Sequence, residues 1–322
     1  DNARELTSKQ LKELAVKANR AVVTVQCYKK QPAAAGDMAQ SITSGIIVKK
    51  DSNIFILTDY TAIKNSGYIQ VVFRNNKAAK ADIRKEDSMN GLVILTVPAS
   101  ELDNLTMVTI EEITLGNSLS VQNGNQAIYL GNPINESRYI DYGMVTSSEI
   151  IPVTDGQRHV YYTNITLAGS SNGFFIDVDG CLVGIANGQY QQSNQKVLSF
   201  LGISDLANTI ERLSNGMAPA YMGIRGQEVT KTIIDSTGEP MSYGIYVLDT
   251  DADSPAYQAG VRSGDIIIEI EGKSIYTLQD MMTVLKELDE GDTLTMVVNR
   301  PESGGYKAYK IDIILEGVSR FK

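Results

Sequence analysis

The stretch Ser254-Pro255-Ala256-Tyr257-Gln258-Ala259-Gly260-Val261-Arg262-Ser263-Gly264-Asp265-Ile266-Ile267 decides how this 322-residue chain is organised. Serine before proline opens a helix: the serine side chain accepts a first-turn N–H, and proline has no N–H to lose at the first helical position. Gly260 closes that helix, since glycine takes the left-handed conformation past a helix end without steric cost. A longer helix is predicted over 277–288, with Leu278, Met281, Met282 and Leu285 at helical spacing. Residues 221–322 mix these two helices with strands and read as a separate α+β domain.

Working back from there, residues 215–219 form a short linker. Before it, a helix is predicted over 204–214, with Ser204 as N-cap, Leu206, Ile210 and Leu213 on one face, and Gly216 beyond its end. Residues 22–200 have a different texture. Short β-rich runs occur at 22–25, 46–48, 54–58, 69–73 and 92–97, and a second set at 127–130, 140–145, 160–165, 174–177, 182–186 and 197–201. Many short strands with almost no helix between them indicate antiparallel barrels or sandwiches, and two sets of about six suit two small barrels. The N-terminus reads as a helix with a Thr7 and Gln10 capping box and Leu11, Leu14, Ala15 and Ala18 at helical spacing. The expected division is therefore an N-terminal helix over 1–20, a double β-barrel over 21–216 and an α+β domain over 217–322.

Composition narrows the function. A net charge of −9 and the lack of a clustered basic surface argue against nucleic acid as a partner. With 43% hydrophobic and 21% charged residues the chain is ordinary for a globular protein, and no apolar run approaches the ~20 residues of a membrane span. No signal peptide precedes Asp1, which points to a mature or trimmed form whose anchor or address has been removed. Two cysteines, Cys27 and Cys181, lack metal-site spacing; a bridge between them is open, but the pattern favours two unpaired thiols. The single histidine, His159, leaves little for zinc or acid–base chemistry, and no metal or cofactor is expected.

Several segments carry a resemblance. Ile56-Leu57-Thr58-Asp59-Tyr60-Thr61-Ala62-Ile63, Asp87-Ser88-Met89-Asn90-Gly91-Leu92-Val93-Ile94-Leu95, Gly131-Asn132-Pro133 and the stretch 163–175 resemble, in consistent order, the segments around the catalytic residues of HtrA/DegP-like serine proteases. Tyr221-Met222-Gly223-Ile224 and the 254–267 run are similar to the opening loop and following segment of that family's PDZ domain. The resemblance implies a mainly β fold, a chymotrypsin-like double β-barrel followed by an α+β PDZ domain. It places Ser171 on the nucleophile, with Ser170 as the register alternative because the segment is one residue short of the family pattern, Thr61 on the histidine and Gly91 on the aspartate that orients it. Gly169, two residues before Ser171, falls where a backbone N–H serves the oxyanion hole.

That pattern lacks its base. Serine acyl transfer needs a group within hydrogen-bond reach that takes the hydroxyl proton. A threonine hydroxyl is neutral and glycine orients nothing; loss of the base alone costs about a million-fold in turnover in such triads. His159 is predicted too distant along an extended strand, and Lys64 lies in a wet turn rather than a desolvated pocket. Phe174 replaces the family's proline and is expected to fill the specificity pocket. The PDZ motifs are intact: Tyr221, Met222, Gly223 and Ile224 would hold a peptide carboxylate by backbone N–H groups, strand 224–229 would receive the peptide, and the helix bearing Met281 and Leu285 would wall the groove. The favoured expectation is an HtrA-like pseudoprotease that binds free C-termini of peptides or of unfolded and partner proteins in envelope protein quality control. An active endopeptidase using Ser171 with an unidentified base is the alternative. The resemblance also implies a homotrimer and a cell-envelope or extracellular location.

Overall fold

The structure is a computed structural model, which describes residues 7–33, 37–132, 139–167, 172–186, 197–237 and 241–318. The chain divides into two compact units, one formed by Asp1–Glu149 and His159–Met217, the other by Ile150–Arg158 and Ala218–Lys322. The second unit thus includes a stretch, Ile150–Arg158, that the sequence reading leaves inside 21–216.

The first unit starts with α1 (Ser8–Ala18), where the Thr7 and Gln10 capping box forms and Ala15 and Ala18 are buried. Two closed six-stranded barrels follow. The first contains β1 (Val22–Tyr28), β2 (Ser41–Lys50), β3 (Asn53–Asp59), β4 (Tyr68–Val72), β5 (Ala78–Asp87) and β6 (Leu92–Pro98), in the order β1-β2-β3-β6-β5-β4. A short helix, α2 (Tyr60–Ile63), follows β3, and α3 (Asn104–Thr109) follows the barrel. The core of this barrel is mostly aliphatic, with Val23, Val25, Ile47, Ile56, Val71 and Leu95 among its buried side chains. The second barrel contains β7 (Gln126–Gly131), β8 (Tyr139–Val153), β9 (Gly156–Thr166), β10 (Gly173–Ile176), β11 (Leu182–Ala186) and β12 (Val197–Gly202), ordered β10-β11-β12-β9-β8-β7. It is rich in aromatics: Phe200 stacks on Phe175 at 4.5 Å and on Tyr161 at 4.9 Å between centroids, contacts that add to simple burial.

The unit closes with α4 (Ala207–Ser214), preceded by a 3-10 turn over Ile203–Asp205. Ser204 is not an N-cap, contrary to expectation. Its Oγ accepts from Ser118 N and its N–H donates to Ser118 Oγ, both at 3.0 Å, so a distant partner has taken the hydroxyl. Gly216, at φ 80°, does end the helix. Cys27 is buried and Cys181 half-buried, and both are free thiols.

The second unit holds β13 (Ala220–Tyr221), β14 (Ile224–Glu228), α5 (Lys231–Thr237), β15 (Ile245–Thr250), α6 (Pro255–Ala259), β16 (Ile266–Ile270), β17 (Lys273–Ser274), α7 (Leu278–Leu285), β18 (Thr293–Glu302), β19 (Gly305–Ile314) and β20 (Glu316–Gly317). Its main sheet runs β14-β15-β16-β18-β19 and leaves β14 at the edge. Ser254 caps α6 by accepting from Tyr257 N, and Gly260 ends it in the left-handed region at φ 87°. Helix α5 is unforeseen by the sequence reading, which places two helices here. Asp265, 1% exposed, takes a bidentate pair from Arg300, with Nε and Nη2 each at 2.7 Å.

Candidate functional site

Strand β3 is nearly all apolar and buried until its last residue, Asp59, where the chain turns into α2. Asp59 caps that helix. Its Oδ1 accepts from Thr61 N at 2.8 Å, and both carboxylate oxygens accept from Thr61 Oγ1 at 2.7 and 2.9 Å. Antiparallel pairing of β3 with β6 sets Asp59 opposite Leu92, and Tyr60 N donates to Gly91 O at 2.9 Å. Sheet register thereby brings the positions of Thr61 and Gly91 together from segments some thirty residues apart in sequence.

Gly91 ends a turn built on Asp87. That fully buried carboxylate accepts from Met89 N at 3.1 Å, Asn90 N at 3.0 Å and Asn90 Nδ2 at 2.6 Å. Gly91 has φ 67°, and a Cβ placed there would meet nothing within 4 Å. A side chain is missing where there is room for one.

Across from these residues, Asn172 leads into β10. Its Nδ2 donates to Asp59 Oδ2 at 2.9 Å and lies 3.3 Å from Thr43 Oγ1, while its carbonyl accepts from Tyr129 Oη at 2.9 Å and Ser44 Oγ at 3.3 Å. Burial pushes the Tyr129 phenol well above its ordinary value, so it remains a donor. Tyr129 also explains Gly173, where an added Cβ would lie 2.4 Å from its ring. A cavity of about 240 Å³ is lined by Thr61 and Gly91 on one side and by Asn172, Phe174, Ile185 and Leu201 on the other. Phe174 is 2% exposed and forms part of this wall. The expected nucleophile Ser171 and oxyanion-hole residue Gly169 lie outside the described residues.

His159 is engaged elsewhere. Its Nδ1 lies 3.0 Å from Asp205 Oδ2, and its backbone N–H donates to the same oxygen at 2.6 Å. No imidazole or amine lines the cavity among the described residues. None of them forms a His, Cys, Asp and Glu group able to hold a metal ion. What the cavity does contain is the carboxylate of Asp59, which the sequence reading passed over because its role arises from contact with Asn172, more than a hundred residues away.

In the second unit, the loop entering β14 presents three consecutive backbone N–H groups, those of Met222, Gly223 and Ile224. Gly223 is required there: at φ 85°, an added Cβ would stand 2.3 Å from Ser254 Cβ. Tyr221 is buried and its hydroxyl donates to Asp251 at 2.9 Å; burial and that contact raise its phenol far above the ordinary value. Met281 is fully buried and packs with Leu278, Val284 and Leu285 in the core of this unit. Met282 lies outside that core cluster and its side chain meets Gly156.

The three N–H groups have a partner. Asp155 Oδ2 accepts from Met222 N at 2.8 Å and Gly223 N at 3.0 Å, and Oδ1 accepts from Ile224 N at 2.8 Å. Burial pushes the Asp155 carboxyl up to about 6; the three N–H donors oppose that rise and the charge of Asp251 adds to it.

Residues 43–185 match the trypsin-like peptidase domain family and residues 220–313 the PDZ domain family. Among curated proteins, the chain is 25% identical over 277 residues to the serine protease Do-like HtrB of Bacillus subtilis, covering 80% of this chain and 59% of that protein. It is 24% identical over 266 residues to a probable periplasmic serine endoprotease, DegP-like, of Halomonas elongata, covering 81% of this chain and 54% of that protein. The chain thus spans a little over half the length of these relatives. Among solved structures, the HtrA-type protease AlgW with tripeptide superposes with a TM-score of 0.68 at 20% identity, covering 94% of this chain and 96% of that one. The serine endoprotease from Yersinia pestis gives 0.63 at 21% identity, covering 97% and 99%.

Proposed function

We propose, for a chain that belongs to the HtrA family of trypsin-like peptidases with a PDZ domain, a role as a pseudoprotease that binds free C-termini of peptides or of unfolded and partner proteins. The observation that carries this reading is the Thr61 hydroxyl donating to Asp59 at the position where the family's imidazole would accept the serine proton. A hydroxyl donor cannot act as that base. Gly91 supplies no carboxylate to orient one, and His159 is bound to Asp205. Peptide binding draws support from the edge position of β14, which suits strand addition, and from the three N–H groups of Met222, Gly223 and Ile224 beside it. A place in envelope protein quality control follows from relatives such as the DegP-like protein, named as periplasmic. Assembly as a homotrimer belongs to the same reading.

One observation favours a working endopeptidase instead: a carboxylate, that of Asp59, lies in the cleft. Against it, both oxygens already accept hydrogen bonds, from Thr61 and from Asn172. The two readings separate on reaction with a fluorophosphonate probe and on casein cleavage by wild type, Ser171→Ala and Asp59→Asn. We expect no labelling at Ser171 and no cleavage by any of the three. Labelling that disappears in Ser171→Ala, with cleavage that disappears in Asp59→Asn, would establish a serine peptidase with Asp59 as its base.

A further inference from the structure

Asp155 occupies the two-residue turn between β8 and β9, at φ 58°, in the stretch that belongs to the second compact unit. Aspartate tolerates the left-handed region better than most residues, and Thr154 and Asp155 are the two residues of this turn. The turn alone does not account for what surrounds it. Besides the three N–H groups taken by the carboxylate, the backbone N–H of Asp155 donates to Ile224 O at 2.7 Å. Gly156 lies against Met282, with an added Cβ only 2.5 Å from Cγ, and Gln157 N stands 3.3 Å from Met282 Sδ.

A peptide's last residue carries a carboxylate and one N–H on the same Cα. Strand addition at a loop-strand junction satisfies the first with consecutive loop N–H groups and the second with a carbonyl of the receiving strand. Asp155 presents the same donor and acceptor set, its carboxylate displaced by one methylene. We propose that Asp155 is an internal ligand of the PDZ domain, occupying the place of a terminal carboxylate, so that a free C-terminus binds only after the hairpin tip has left. This inference rests on the peptide-binding reading above. The displacing ligand is a peptide with a free carboxylate and an apolar last side chain, for which Met282 is a repackable neighbour. The competition lowers apparent peptide affinity to the intrinsic value multiplied by the fraction of molecules whose tip is released.

The test uses the full chain as wild type, Asp155→Gly and Asp155→Asn. Glycine takes φ 58° without strain and asparagine tolerates it, so both substitutions spare the turn. The probe is a fluorescein-labelled pool of decapeptides with free carboxylates and apolar last residues, followed by anisotropy; an amidated pool is the control. Hydrogen exchange at the amides of Met222, Gly223 and Ile224 is measured without peptide. We expect Asp155→Gly to bind the carboxylate pool about tenfold or more tightly than wild type, Asp155→Asn, which keeps an oxygen acceptor for these amides, to bind less tightly than Asp155→Gly, and exchange at the three amides to accelerate in Asp155→Gly. Equal affinity in wild type and Asp155→Gly, or equal protection of the three amides, overturns the inference and leaves the peptide-binding reading standing. Accelerated exchange with no binding of the pool to any variant overturns the peptide-binding reading, and the competitor role with it.

Discussion

The hydroxyl of Thr61 donates to both carboxylate oxygens of Asp59, and the second of these oxygens also accepts from Asn172 Nδ2. One side chain therefore caps α2 and joins residues of the two barrels. Asp59→Asn removes the charge and turns one acceptor into a donor facing other donors. Asparagine still offers one oxygen to cap α2, so what is lost is the charge-assisted bond to Asn172, and barrel stability should fall by about 1–2 kcal/mol. Urea unfolding followed by the tyrosines of the second barrel checks this; an unchanged midpoint would mean that the bridge adds nothing.

Gly173→Ala tests the packing behind the cleft. The new methyl would sit within 2.4–2.5 Å of the Tyr129 ring, which is fully buried and held by its bond to Asn172 O. Overpacking of this kind costs about 1–3 kcal/mol. Thermal unfolding should show the loss, and nearby Gly91→Ala, which meets open space, should show no steric cost beyond that of its positive φ.

Arg300→Met removes one half of the bidentate pair with Asp265, leaving a carboxylate that is 1% exposed, to which the N–H of Arg262 still donates at 2.9 Å. Leaving a buried charge without its partner costs roughly 3 kcal/mol. The second unit should melt earlier in calorimetry, and Asp265→Asn combined with Arg300→Met should recover part of the loss.

Asp155 links the second unit to pH. Its carboxyl is raised to about 6, against 3.8 when free, so the docked state binds the proton more tightly than the released one. The contact is thus at full strength below about pH 4 and weakens as pH rises through about 6. A displacement of that size is worth roughly 3 kcal/mol at most. The titratable groups facing Asp155 are Asp251, which stands 3.5 Å from Arg225 Nη2, and Tyr221, whose hydroxyl donates to Asp251. Carbon NMR of the Asp155 carboxyl should titrate near 6, and peptide affinity should increase between pH 4 and pH 7. A midpoint near 4 would refute the linkage.

Much of the architecture is legible in the sequence because its signals are local. Strands of the second barrel alternate or run apolar between turn residues, and Ser254, Pro255 and Gly260 mark α6 by chemistry confined to a few positions. Strand β5 is harder to read: its inward residues are Ala79 and Ala81, small side chains with weak strand preference, flanked by charges. Ser204 misleads for the opposite reason, since its hydroxyl suits a cap but finds Ser118 instead. At the site, the substitutions at Thr61 and Gly91 can be read from motif order, yet the Asp59 to Asn172 bond and the role of Asp155 depend on contacts between remote segments. An Asp-Gly pair announces a turn. Nothing near it in the chain announces three amides about seventy residues downstream.

The division of the chain bears on how the molecule is dissected at the bench. Because Ile150–Arg158 clusters with Ala218–Lys322, a fragment cut at the linker would lose its own carboxylate plug and expose the bare amides of Met222, Gly223 and Ile224. Affinities measured on such a fragment would then describe an unguarded receptor and overstate how readily the whole chain captures a peptide.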